Sequence, residues 1–514
     1  MKFIQNTGLV LVVAGLVVFT VVPFLGSWKM ESTMVEEVTK ERHREVMVDL
    51  LAPMYGASYG SPFGFINDLN GYVKAHNDSL KAEEKWDRVI WDDYAFPLTK
   101  IASRGPVPAH PLLFLALSVG LTVLGGLLYT VPLYRNEPAG IKNDGIYFSS
   151  MKARGWLGIL TGTYLIVFYV VLYWYPAYLS NLVIMVDPLS QALSGAPASQ
   201  WFLYGLVYTL AILVMGVRMF RKYKGNKYQT VRTLSVMFFQ LAFAFLIPEI
   251  LVLFNMPWHD FKNIWPLDYT FFYEYRLDGM LNSGALGMFM LVWGILLIVV
   301  GVPLITYFYG KRWYCSWVCG CGGLAETLGD PYRQLSDKSL KSWQIERYLV
   351  HGVLVLAVVV TGVTLLNYFM EFGLLGQATD QLHSLYGFAI GSAFAGVIGT
   401  GFYPFMGNRV WCRFGCPLAA YLGLVQRFKS RFRITTNGGQ CISCGNCSTY
   451  CEMGIDVRWY AQRGQNIVRA SCVGCGVCSA VCPRGVLKLE NDKESGRIND
   501  MPIIIGNDSI NLNA

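Results

Sequence analysis

Long uninterrupted apolar runs set the pattern of this chain. They lie at Gly8–Leu25, Pro111–Leu133, Trp156–Tyr178, Trp201–Met219, Leu234–Asn255, Ser283–Tyr309, His351–Phe369 and Leu385–Phe405. Each comes near the ~20 residues a helix needs to cross a bilayer. About eight transmembrane helices are therefore predicted. Tyr173, Trp174, Tyr175, Tyr178 and Trp201 stand at run ends, where amphipathic rings favour the membrane interface. The first run follows Lys2 and lacks a small-x-small cleavage site near Phe24-Leu25-Gly26-Ser27, so it reads as a retained anchor.

Polar stretches separate the runs. Trp28–Ala109 has mixed charge; Glu36–Glu45 resembles an exposed helix and Tyr55–Phe65 a loop. A small folded cap and a docking surface are both open readings of it. The chain thus divides into a first membrane helix (1–27), an extracytoplasmic region (28–110) and helices two to six (111–310). A loop (311–350), the last two helices with a cysteine segment (351–433), a ferredoxin-like domain (434–490) and a tail (491–514) follow.

Charge placement orients these helices. Arg135, Lys142, Lys152 and Arg154 share one loop; Arg218, Arg221, Lys222, Lys224, Lys227 and Arg232 surround another. Lys311 and Arg312 open a third, and Arg409, Arg413, Arg427, Lys429, Arg431 and Arg433 follow the last span. The alternate loops Ser180–Gln200 and Glu371–Ser384 carry no Lys or Arg, and the loop after the fifth span has only Lys262 and Arg276. The positive-inside rule places the first set, and both termini, in the cytoplasm. An inner-membrane protein of a bacterium is expected. Composition agrees: of 514 residues, 54% are hydrophobic and only 15% charged. No basic run interleaves with aromatics on a soluble segment, so nucleic acid is not indicated.

All thirteen cysteines fall between Cys315 and Cys482. Cys441, Cys444, Cys447 and Cys451 form one run; Cys472, Cys475, Cys478 and Cys482, followed by Pro483, form another. Two short gaps and a longer one are the spacing of a bacterial two-cluster ferredoxin, in which the fourth cysteine of each run serves the other cluster. Cys441, Cys444, Cys447 and Cys482 are assigned to one [4Fe–4S] cluster, and Cys472, Cys475, Cys478 and Cys451 to the second. Zinc favours paired cysteines, and disulfides need an oxidising compartment. Glu452 stands where the second run has Pro483; it is expected to shape a turn and to remove no ligand.

Two further pairs lie just past predicted spans: Cys315 and Cys319, followed by Gly320-Cys321, and Cys412 and Cys416, followed by Pro417. On a helix this spacing puts both sulfurs on one face, so the four could hold a third [4Fe–4S] cluster. Cys321 could replace Cys319. Inert burial is the bland reading. Glu249, within a span, is a candidate for a proton path or quinone contact, or a helix-end hydrogen-bonding carboxylate. His110, His259, His351 and His383 are too few and too scattered to predict haem. Asn367 and Gln240 read as interhelical hydrogen-bonding residues.

The order of spans, a Cys-x₃-Cys, a later Cys-x₃-Cys-Pro and a two-cluster ferredoxin run resembles the polyferredoxin-like membrane proteins of the NosR/NapH type, related to the CcoG/RdxA type. The resemblance covers about Ala285–Leu489. In that family both pairs usually end in Pro; Gly320 departs from this. Ser194-Gly195-Ala196-Pro197 lacks the threonine that NosR-like members flavinylate, so no covalent flavin is predicted. The resemblance implies an electron-transfer subunit linked to quinol oxidation or to cytoplasmic electrons, with respiratory partner subunits. An assembly or metal-reduction factor for a respiratory metalloenzyme, or a redox sensor, is the alternative. No bond-breaking chemistry is required of this chain. The potential of such clusters spans about −700 to +450 mV, so direction is not set by spacing.

Overall fold

The computed structural model describes residues 2–134, 155–370, 376–437 and 440–491. The basic loop of Arg135, Lys142, Lys152 and Arg154, part of the loop Glu371–Ser384, and the tail with Ile503, Ile504 and Ile505 lie outside them. Among the described residues, eight helices are long and apolar enough to cross a membrane: Lys2–Phe24, Pro111–Thr130, Trp156–Trp174, Gln200–Lys222, Lys227–Leu253, Gly284–Tyr309, Leu340–Phe369 and Ala378–Gly401. The protein is thus a multi-pass α-helical membrane protein with a C-terminal ferredoxin-type segment. The seventh helix begins at Leu340 rather than His351 because Ser339 caps it, accepting the Ser342 N–H at 3.2 Å.

Two structural units divide the chain. The first comprises Met1–Pro132 and Val170–Leu210. Its first two spans touch through glycine: a Cβ on Gly125 would meet the Gly8 carbonyl oxygen at 2.5 Å, so only a missing side chain permits this approach. The stretch between those spans is a folded cap. Strand β1 (Ser27–Lys29) pairs antiparallel with β2 (Ser58–Tyr59) on one side and β3 (Ser103–Arg104) on the other. Helices pack around it over a core of Trp28, Met30, Met47, Leu51, Met54 and Phe65. The expected single helix over Glu36–Glu45 is instead two, Ser32–Val38 and Glu41–Leu50, parted where Thr39 turns its hydroxyl back to the Val35 carbonyl at 2.6 Å. The expected loop Tyr55–Phe65 contains β2 and the start of the helix Pro62–Ala82, where Ser61 caps and Pro62 fits the first turn.

Ser180–Gln200, expected as a loop, is mostly the helix Ser180–Ser194. Asn181 anchors it by donating to the carbonyls of Val22 (3.3 Å) and Leu25 (2.8 Å). The helix stops at Gly195 in the left-handed region, φ 72°, so Ser194-Gly195-Ala196-Pro197 is its terminating turn.

The second unit comprises Leu133–Tyr169 and Ala211–Ala514. Its connection from Phe254 to Tyr273 is no simple surface loop. Ile264 is buried in the same core as the cysteines, with Trp265 packed against it. Trp265 Nε1 donates to Thr361 Oγ1 of the seventh span at 2.8 Å. Irregular backbone is tolerated among membrane helices only where protein buries it, and here it does. After the last span, β4 (Arg433–Thr436) and β5 (Leu487–Glu490) pair antiparallel, Ile434 opposite Leu489. They bracket the two ferredoxin runs, giving the expected α+β segment.

Candidate metal centre

The two ferredoxin runs fold as near copies. Gly445 and Gly476, both left-handed, precede the short helices Asn446–Thr449 and Val477–Ala480. Cys441, Cys444, Cys447 and Cys482 line one small cavity together with Arg458 and Val486, and the Val486 N–H donates to Cys482 Sγ at 3.3 Å. Burial pushes the Cys478 thiol well above its usual range, and the nearby thiols of Cys475, Cys472 and Cys451 push it further. Cys441, Cys444, Cys447 and Cys482 thus lie together, and Cys478 lies near Cys475, Cys472 and Cys451, with Cys447 of the first set also close by.

The juxtamembrane pairs differ from the expected helical faces. Cys315 ends one short helix and Cys319 caps the next, Gly320–Glu326, in extended conformation. Cys412 lies in a wide helical turn, Trp411–Gly415, and Cys416 caps Pro417–Lys429. The turns match closely. The Cys319 N–H reaches the Tyr314 carbonyl at 2.8 Å, and the Cys416 N–H reaches the Trp411 carbonyl at 2.9 Å. Gly320 and Pro417 therefore occupy equivalent first-turn positions, and the absent proline leaves the turn unchanged.

All four thiols share one buried core. Burial pushes Cys315 up to about 12. It also raises Cys416 well above its ordinary value, with Cys412, Cys315 and Cys319 adding to the rise. A hydrogen bond shared with Cys321 brings Cys319 down to about 6, against the effect of burial; its partner Cys321 is raised. Cys321 thus sits beside Cys319 rather than apart from the group. Space is tight: a Cβ on Gly322 would meet the Cys315 carbonyl oxygen at 2.0 Å.

Charges surround these sulfurs. The Lys262 ammonium is buried and paired with Asp260 at 2.7 Å. Burial alone would lower its pKa, but Asp260 raises it, with Cys319 and Cys321 acting in the same direction. Tyr314 Oη donates to the Lys262 carbonyl at 3.0 Å. Lys262, counted above among the charges of an outer loop, therefore faces the cysteine core.

A larger network was not foreseen. Glu326 pairs with Arg232 (2.7 Å), Arg333 (2.7 Å) and Arg409 (2.8 Å). Glu452 pairs with Arg333 and Arg409, each at 3.1 Å. Asp330 takes Arg218 (2.6 Å), Lys222 (2.8 Å) and Arg333 (3.3 Å). Every one of these residues is buried. Glu452 is therefore more than a turn residue; its only sequence signal is that it displaces a proline. Arg409 donates to Cys412 Sγ at 3.6 Å and to the Cys315 carbonyl at 3.1 Å, while Arg333 reaches Cys475 Sγ at 4.0 Å.

Glu249 is half-buried near the far end of the fifth span, about 25 Å along that helix from Arg232 at 1.5 Å per residue. His383 stacks on Tyr273, ring centroids 3.8 Å apart, and shares a 2.7 Å hydrogen bond with Thr364.

Thiolate sets of four, backbone N–H groups aimed at sulfur, and an Arg409 Nε buried without an acceptor among the described residues suit anionic, sulfur-ligated groups. Comparison with known families agrees. Residues 291–339 and 387–435 match a family described as a 4Fe-4S binding domain, and 440–487 match a 4Fe-4S dicluster domain. The class is thereby defined: a multi-pass α-helical membrane protein carrying ferredoxin-type 4Fe–4S domains.

Among individual proteins, the chain is similar to YccM of Escherichia coli (strain K12), provisionally named for electron transport. It is 28% identical over 168 residues, 29% of this chain and 43% of that protein. It is also similar to MauN of Paracoccus denitrificans (strain Pd 1222), a methylamine utilization ferredoxin-type protein. There the identity is 30% over 160 residues, 30% of this chain and 53% of that protein. The chain thus spans about half the length of these relatives. No solved structure matches it.

Proposed function

We propose that this chain is a membrane-bound electron relay with three [4Fe–4S] clusters. Cys441, Cys444, Cys447 and Cys482 hold one, Cys472, Cys475, Cys478 and Cys451 the second, and Cys315, Cys319, Cys412 and Cys416 the third. When bound, such clusters accept and donate single electrons. The protein's part is to bury the thiolates, aim N–H donors at them and hold them in one core. The observation that carries this reading is the shared core, in which Cys315, Cys412, Cys447, Cys472 and Cys478 are all buried. The relay works between a cytoplasmic or quinol donor and a membrane or extracytoplasmic respiratory partner, as in the NosR/NapH type. It sits in a bacterial inner membrane with the cysteine segments and both termini on the cytoplasmic side, supported by the loop charges.

A cavity of about 830 Å³ supports a quinone as the lipid-soluble partner. Tyr228, Phe239, Tyr309, Trp313 and Trp317 wall it, and Val318 beside Cys319, Ser479 beside Cys478 and Arg312 line it. Aromatic walls with few polar groups suit a flat ring.

Anaerobic purification and iron analysis test the relay. About twelve irons per chain are expected; about eight would remove the third cluster, at four irons each. Cys412→Ser should abolish one low-temperature paramagnetic resonance signal of the reduced protein and leave the ferredoxin signals. Loss of none would refute the juxtamembrane cluster.

A further inference from the structure

The cysteine spacing explains where the sulfurs are; it does not explain why so much charge is buried between them. Arg218, Lys222, Arg232, Arg333 and Arg409 meet Asp330, Glu326 and Glu452 in one continuous set of ion pairs. Burying charge is costly unless it is paired. The set also reaches sulfur at two places: Arg409 touches Cys412 Sγ and Arg333 approaches Cys475 Sγ. Thiolate-ligated clusters are themselves anionic, so these two guanidiniums point where negative charge would lie.

Between those two places runs a continuous path. Arg409 and Arg333 both grip Glu326, on Oε1 and Oε2 respectively, and both also pair with Glu452. Arg232, from the fifth span, adds a third guanidinium at Glu326. The lattice of paired planar groups leaves each guanidinium little freedom. Glu326, Glu452 and Cys475 also bring their ligand atoms within 4.8 Å of one another, but the three arginines already supply the positive charge there, so this group is no separate metal site.

We propose that Arg409 and Arg333 are positioning residues that set the reduction potentials of two sites, the juxtamembrane one through Cys412 and the ferredoxin one through Cys475. Glu326 and Glu452 hold them and couple the two sites electrostatically. The sign follows from charge alone. Reduction adds one negative charge to a cluster, so a fixed guanidinium beside its thiolate favours the reduced form and raises the potential. A carboxylate at the same place does the reverse. The inference rests on the relay reading above and adds to it which residues order its steps.

Potentiometric titration of the whole, cluster-loaded protein, followed by electron paramagnetic resonance, tests it. Arg409→Gln should lower the juxtamembrane potential and move the ferredoxin signals less. Arg333→Gln should act mainly on the signal lost in Cys475→Ser. Each shift should be about tenfold in the oxidised-to-reduced ratio at fixed potential, about 59 mV for one electron. Glu326→Gln, which removes a negative charge shared by both arginines and keeps the shape, should shift both upward. Arg409→Lys keeps the charge and should restore most of the potential if Arg409→Gln proves too unstable to load. A purely structural role predicts lost iron or lower melting with unchanged potentials in the surviving clusters; that result would overturn the proposal. An iron-free wild-type protein would instead sink the relay reading itself.

Discussion

Gly474 and Ser443 occupy the same place in the two cysteine runs, and both are left-handed, with φ of 61° and 58°. Only one of them must be glycine. A Cβ on Gly474 would meet Arg312 Cβ at 2.6 Å and Phe432 Cζ at 3.0 Å, whereas Ser443 is exposed. Gly474→Ala should therefore cost about 1–3 kcal/mol through a disfavoured backbone and a clash. Thermal unfolding should show this, with weakening of the signal assigned to Cys472, Cys475, Cys478 and Cys451. Ser443→Gly should not lower the melting temperature. At this scale the cysteines were legible from spacing alone, because a ligand set is local in sequence. Glu326, Arg333 and Glu452 were not. Their partners lie far away in the chain, and nothing in a lone charged residue tells burial from exposure.

Elements were read with mixed success, for physical reasons. Spans announce themselves by length and apolarity, and all eight runs match helices. The helix Ser180–Ser194 escaped because Asn181, Asp187 and Pro188 break its apolar pattern, yet Asp187 is satisfied by Lys100 at 2.7 Å. The two Cys-x₃-Cys turns were expected to be helical faces; the capping role of Cys319 and Cys416 is set by backbone geometry that spacing does not encode. The cap offers a pH prediction. Asp92 binds Lys40 and Arg42 at 2.5 and 2.6 Å, and these hydrogen bonds hold its carboxyl down to about 2 from 3.8. Its folded pKa lies below its unfolded one. The contribution is thus present above pH 4 and fades as pH falls toward 2. Proteolysis of the cap should accelerate over that range, and Asp92→Asn should remove most of the dependence. The pair is partly exposed, so the effect should be modest and should shrink with salt.

Within the second unit, residues of a membrane helix (Ile298, Val302) and of the ferredoxin-type segment share one core. The buried Lys262–Asp260 pair, on a connection that leaves the fifth span, reaches the same core as the thiols. Asp260→Asn would leave the ammonium uncompensated, and breaking a buried pair from one side costs about 3–5 kcal/mol. A clear drop in melting temperature in detergent is expected, with Lys262→Met, Asp260→Asn together less damaging than Asp260→Asn alone. Overall architecture was visible in the sequence: spans, then cysteine turns, then a ferredoxin segment. The connection's inward course was not, since an isolated Lys between two spans reads as a loop charge.

Glu326 is shared by arginines from three separate stretches of chain, on the fifth span, after the sixth and after the eighth. The carboxylate–guanidinium lattice can close only once the ribosome has delivered residues as far apart as Arg232 and Glu452. Excised from the helices, a ferredoxin fragment beginning at Ile434 would bare Glu452 without its cations. Such a fragment should be harder to load with iron than the full chain, since the helices then act in cis as a chaperone for the cysteine runs that follow them.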